Sequence, residues 1–80
     1  MKLPRDISGL DLAKSLARLG YSVEHQRGSH MRLTTRTPSE HHITIPAHDP
    51  LKVGTLNAIL RDVGAHAGLD RDQLLQLLFG

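Results

Sequence analysis

Eighty residues make one small domain, spanning residues 1–80. A hydrophobic share of 39% with 22% charged residues is ordinary for a folded globule and argues against disorder. The chain has no cysteine, which excludes a disulfide framework, a thiolate zinc site and a cysteine nucleophile; ten Lys and Arg against eight Asp and Glu leave +2, a balance that permits an anionic partner without demanding one.

The first predicted element is a helix. Ser8 is a good N-cap, Asp11 stands where a capping box places its acidic partner, and Ile7 and Leu12 are spaced as a hydrophobic staple. Leu12, Leu16 and Leu19 recur at helical spacing, and Gly20 sits where a helix ends in a left-handed residue. Lys14 and Arg18, four apart, should face solvent or a phosphate. Three alternating segments follow, Tyr21 to Gln26, His30 to Arg36 and His41 to Ile45, separated by turn residues at Gly28-Ser29 and Thr37-Pro38-Ser39-Glu40. They read as an antiparallel meander with one apolar and one polar face. Parity of the first two strands favours a three-residue loop, Arg27-Gly28-Ser29, pairing Gln26 with His30. The expected polar face is Glu24, Gln26, His30, Arg32, Thr34, His42 and Thr44, with His25 among the apolar positions.

After a loop from Pro46 to Val53, a second helix starts near Gly54-Thr55. Its stripe is Leu56, Ile59, Leu60 and Val63, and Gly64 is the expected stop. His66 then falls in a loop. A short third helix opens at Asp70 with Gln73, burying Leu74, Leu77 and Leu78. The fold class is α+β: helix, three-stranded antiparallel sheet, helix, short C-terminal helix. Both long helices can cover the apolar side and leave the histidine-bearing side open.

No apolar run approaches the ~20 residues that span a bilayer, and the opening Met1 to Asp6 lacks the apolar stretch of a signal peptide. A small domain without disulfides fits a cytoplasmic location. Tyr21 and Phe79 are the only aromatics among Phe, Tyr and Trp, too few for a base-stacking platform, so six histidines are the chief equipment for chemistry near neutral pH. Adjacent His41 and His42 point to opposite faces of a strand and cannot readily share an ion with each other, so no metal is expected.

The segments Leu19-Gly20-Tyr21, Gln26-Arg27-Gly28-Ser29-His30, Ile45-Pro46-Ala47-His48 and Gly54-Thr55-Leu56 with Ile59-Leu60 resemble the HicA (YcfA-like) toxin family, over about Lys2 to Leu78. The resemblance implies a fold like a double-stranded-RNA-binding domain. It also implies a ribosome-independent mRNA endoribonuclease that arrests growth and is silenced by a HicB-type antitoxin. By that resemblance His30 is the catalytic residue and Gly28 shapes its turn. The toxin would be a monomer alone and a hetero-oligomer with its antitoxin, with no cofactor. Two departures stand out: Met31 follows the motif histidine where many relatives carry a second histidine, and the loop Pro46-Ala47-His48-Asp49-Pro50 keeps one histidine of a pair.

RNA cleavage needs a base for the ribose 2′-hydroxyl, an acid for the leaving 5′-oxygen and positive charge at phosphorus. His30 can supply the proton transfer. Arg27, Gly28, Ser29 and Arg32 surround it as phosphate contacts, although both arginines could instead pair with Glu24. His42 and Glu24 are candidates for the second proton-transfer group, with His48 and Lys52 as secondary positions. The rival readings are a non-catalytic RNA-binding module of the same fold and a pure protein-interaction domain.

Overall fold

The structure, a computed structural model, describes residues 3–80; Met1 and Lys2, where the reading of the chain's opening begins, lie outside the described residues. Helix α1 runs Gly9–Leu16 and tightens into a 3-10 turn, Ala17–Leu19, before left-handed Gly20. Strands β1 (Ser22–Arg27), β2 (His30–Thr35) and β3 (His41–Pro46) form an antiparallel sheet in that order. Helices α2 (Val53–Ala67) and α3 (Arg71–Phe79) complete the α+β fold, which is that of a double-stranded-RNA-binding domain extended by one helix.

The caps form as the residue chemistry requires. Ser8 Oγ accepts the Asp11 N–H at 3.0 Å. Asp70 and Gln73 make a full capping box, at 2.8 and 3.0 Å. Helix α2 does not stop at Gly64. That glycine lies inside the helix, where a Cβ would press on the Leu69 carbonyl, and the helix runs a further turn to Ala67 and left-handed Gly68. His66 therefore sits in its last turn. In α3, Leu75 is buried instead of Leu77, which is 40% exposed. Arg18 is not a free cation: its Nη1 donates to the Leu77 and Leu78 carbonyls at 2.9 and 3.4 Å, capping α3 with positive charge where its dipole favours it.

The core joins Leu12 and Leu16 of α1, Met31 and Leu33 of β2, and Ile43 and Ile45 of β3. Packed into the same cluster are Leu56, Ile59, Leu60 and Val63 of α2 with Leu74, Leu75 and Leu78 of α3. All the helices gather on one side of the sheet, because only that side carries the apolar positions of β2 and β3.

The strand register departs from the parity expectation. Arg27 pairs with His30, so the loop has two residues, Gly28-Ser29, and Gln26 pairs with buried Met31. A β-bulge between Val23 and His25 absorbs the extra residue, Glu24, and restores Val23 to the side of Leu33. Gly28 has φ +57°, a conformation L side chains rarely adopt, and Ser29 has negative φ. Glycine at the first central position of a two-residue loop is the pattern of a type II′ hairpin turn.

At the far end of the sheet a polar clasp joins three elements. Tyr21 Oη lies 2.7 Å from His41 Nδ1, and His41 Nε2 lies 3.2 Å from Asp62 Oδ1 on α2. With the phenol donating to Nδ1, Nε2–H is left to donate to the carboxylate. His66 stacks on His41 at 4.3 Å between centroids, its own Nε2 buried without a partner among the described residues. Burial, with the Asp62 charge adding to it, pushes the Tyr21 phenol up to about 12.

A phenol raised in the folded state stabilises the fold fully below its unfolded value near 10, and that contribution is lost as pH rises through about 12. Tyr21→Phe should therefore destabilise the protein by about 1 kcal/mol at neutral pH, and wild type's advantage over it should shrink between pH 10 and 12 in denaturant melts. At Gly9 a Cβ would run into the Pro46 carbonyl. Gly9→Ala should cost about 1–3 kcal/mol, read as a thermal midpoint lower by several degrees; an unchanged midpoint would contradict the close approach.

Candidate nucleic-acid interface

The register decides which side chains share the open face of the sheet. Residues directly opposite in a ladder lie on the same side, and successive residues alternate. His30 and Arg32 are exposed while Met31 and Leu33 are buried, so the side of His30 is the one without helices. Three rows cross it: Arg27–His30–Pro46 at one end, His25–Arg32–Thr44 in the middle and Ser22–Thr34–His42 at the other.

Relative to the sequence expectation, Gln26 leaves this face and His25 and Arg27 join it. The bulge is the cause, since one extra residue reverses the parity of everything between it and the turn. The missed residue is His25, assigned from sequence to the apolar side. A signal for it exists: Gly28-Ser29 as a two-residue loop conflicts with the apolar alternation of β1, and a bulge is the ordinary way to reconcile the two.

Arg27, His30, Arg32 and His25 are all exposed, and their side chains form no hydrogen bond or ion pair among the described residues. Glu24 neutralises neither arginine at that end. Its Oε2 accepts from Thr34 Oγ1 at 2.8 Å, and its Oε1 lies 3.6 Å from Arg36 Nη2. Two guanidiniums and two imidazoles thus stand together with no carboxylate paired to them, a natural seat for a phosphate.

His42 is on the open face as expected, but it is engaged on both nitrogens. Nδ1 is 2.7 Å from Thr34 Oγ1, and Nε2 is 3.1 Å from Glu40 Oε2. It also belongs to the row of Thr34, four residues from His30 along β2. At a strand rise of about 3.3 Å that separation is roughly 13 Å, too far for both rings to act on one phosphodiester. Glu24, tied to Thr34 and Arg36, is equally removed from the role. His41, one residue before His42, lies on the core side of the sheet in the Tyr21–Asp62 clasp.

The turn bearing His30 is braced from outside the sheet. The Ala47 N–H donates to the Ser29 carbonyl at 2.6 Å, and the Gly9 N–H donates to the His48 carbonyl at 2.9 Å. The start of α1, the loop after β3 and the Gly28-Ser29 turn are thereby locked together. Exposed His48 is held close to the turn, whereas exposed Lys52 precedes α2 and borders a groove of about 520 Å³ lined by residues such as Leu3, Ile7, Leu51 and Leu56. No three His, Asp or Glu residues among the described ones are grouped to hold a metal ion, and no described helix is long and apolar enough to cross a membrane.

Comparison with known families adds one finding. The family model described as the HicA toxin of bacterial toxin–antitoxin systems matches residues 9–65, from the first residue of α1 into the last turns of α2, and so takes in the whole sheet and the braced turn. No curated protein and no solved structure matches the chain significantly. The segment before α1 and everything after residue 65, namely the end of α2, the loop that follows and α3, lie outside the match, and with well over half of its length covered the chain belongs to the HicA toxin family.

Proposed function

We propose that this protein is an RNA-cleaving toxin, a ribosome-independent mRNA endoribonuclease, in which His30 transfers a proton at a ribose–phosphate linkage. The observation that carries the reading is the placement of His30. It stands exposed at the lip of the first hairpin, directly opposite Arg27 and two residues from Arg32 on a face that no helix covers. An imidazole titrates near neutrality and so can take or give a proton at cellular pH. The guanidiniums hold the phosphate in a fork and offset the charge that builds at phosphorus. The Ser29 hydroxyl and the turn amides at Gly28 supply further donors. These groups meet the needs of phosphodiester cleavage by acid–base chemistry, so the reading includes no metal and no cofactor.

Membership of a toxin–antitoxin family supports a neighbouring antitoxin as the partner. A HicB-type protein that lies across the open face would cover His30 and occupy Arg27 and Arg32, silencing the toxin by excluding RNA. His48, beside the turn, and the cation Lys52, near the start of α2, extend the rim along which the RNA backbone would run. The toxin would act in the cytoplasm as a single domain, alone as a monomer and silenced as a hetero-oligomer.

His30→Ala tests the reading. It should lower the rate of RNA cleavage by roughly 100- to 10,000-fold, the usual worth of one general acid–base group, and abolish growth arrest, while thermal stability and RNA affinity survive. Cleavage at the normal rate would overturn it, and RNA binding without cleavage in wild type would mark a non-catalytic RNA-binding module instead. Arg27→Ala and Arg32→Ala should each weaken RNA binding and lower the slope of log affinity against log salt by about 0.7; an unchanged slope would remove that residue from the phosphate contacts.

A further inference from the structure

His30 alone leaves the reaction half served, because cleavage moves two protons, one from the 2′-hydroxyl and one to the 5′-oxygen. We propose that His25, which the bulge at Glu24 brings to the open face diagonally across from His30, is the second proton-transfer residue of the site. The inference rests on the nuclease reading above and completes it.

The geometry is that of a small rectangle on two adjacent strands. Arg27 faces His30 and His25 faces Arg32 in the ladder, with no irregularity between the two pairs. Directly opposite residues have Cβ atoms about 4.5–5.5 Å apart, and diagonal neighbours lie about 7–8 Å apart, within reach of long side chains. The two imidazoles occupy one diagonal and the two guanidiniums the other. A phosphodiester seated over the centre has an imidazole on either side and a cation on each remaining corner. The groups facing His25 are Arg27 on its own strand, and His30 and Arg32 on β2; Thr44 of β3 lies beyond Arg32. Glu24, its neighbour in the chain, is drawn to Thr34 and Arg36. No helix packs on this side, so the ring is free to meet a substrate.

The rival positions are weaker. His42 is bonded on both ring nitrogens and lies two rows away. His48 lies off the sheet, two residues past Pro46, outside the rectangle.

In the proposed step, the neutral member of the pair takes the 2′-O–H proton and the 2′-oxygen forms a bond to phosphorus. The bond from phosphorus to the 5′-oxygen breaks, and that oxygen leaves with the proton of the other, protonated imidazole. The products are a 2′,3′-cyclic phosphate and a 5′-hydroxyl. One proton has passed from one ring to the other, and exchange with water resets both.

Cleavage of an unstructured transcript by wild type, His25→Asn and His25→Gln, followed across pH 5 to 9, tests this. Wild type should give a bell-shaped profile, the mark of one required acid and one required base. Both variants should cleave roughly 100- to 10,000-fold more slowly and lose one limb of the bell, while a transcript made uncleavable by 2′-deoxy substitution binds within a few-fold of normal. His25 is exposed on an edge strand, so both variants should keep the wild-type melting curve. If they retain both limbs at near wild-type rates while His30→Ala is inactive, the nuclease reading stands and the role of His25 is refuted. Loss of the same limb in His48→Ala, with His25→Asn unaffected, would likewise refute it. Normal cleavage by His30→Ala would overturn the nuclease reading and this inference with it.

Discussion

The register of the first hairpin is the constraint on which the rest of the molecule depends. Gly28, at a φ of +57°, permits a two-residue turn, and that turn sets Arg27 opposite His30. A loop one residue longer would replace Arg27 with Gln26 and remove a guanidinium from the site. Nothing lies within 4 Å of where a Gly28 Cβ would be, so the requirement is conformational and not one of space. The bulge at Glu24 then reconciles this polar end of β1 with the rest of the strand, where Val23 returns to the side of Leu33. Turn and bulge together put four charged or titratable side chains on one face without forcing an apolar residue there.

The division between the two faces follows from where the helices can pack. Met31, Leu33, Ile43 and Ile45 offer one continuous apolar surface, and α1 and α2 close over it with α3 behind. The opposite face has only polar rows in β2 and β3 apart from Pro46, so no helix gains by covering it. The candidate site thereby lies on a surface that the helices leave uncovered. The turn beneath it is braced: the Ala47–Ser29 and Gly9–His48 hydrogen bonds carry the rigidity of α1 to the residue beside His30. Exposed functional side chains on a rigid base are what a site needs if substrate is to be positioned without a large ordering cost.

Much of the fold was legible because its signals are local. Ser8 and Asp70 cap the helices they announce, the stripe Leu56, Ile59, Leu60 and Val63 is buried as its spacing dictates, and alternation in β2 and β3 sorts their faces correctly. The departures have nonlocal causes. Every residue of β1 is exposed, Val23 to 48%, so its alternation records no burial and misleads when used to fix the register. Gly64 stays helical because α2 needs a small residue where the chain returns at Leu69. Arg18 finds partners 59 and 60 residues away, which no local pattern announces. For the candidate site, the place of His30 on the open face was readable from its alternation with Met31 and Leu33. Its diagonal neighbour, His25, was legible only through the conflict between the two-residue loop Gly28-Ser29 and the alternation of β1, which a one-residue bulge resolves.

On the proposed function, RNA is bound and cut on the open face around the first hairpin, away from the Tyr21–His41–His66 clasp. Imidazole signals in nuclear magnetic resonance spectra, followed as an uncleavable 2′-deoxy-substituted RNA is added, read this directly. The resonances of His25 and His30 should move together while those of His41 and His66 stay in place. Movement of His41 and His66 with His25 and His30 unperturbed would place the RNA elsewhere and contradict the account.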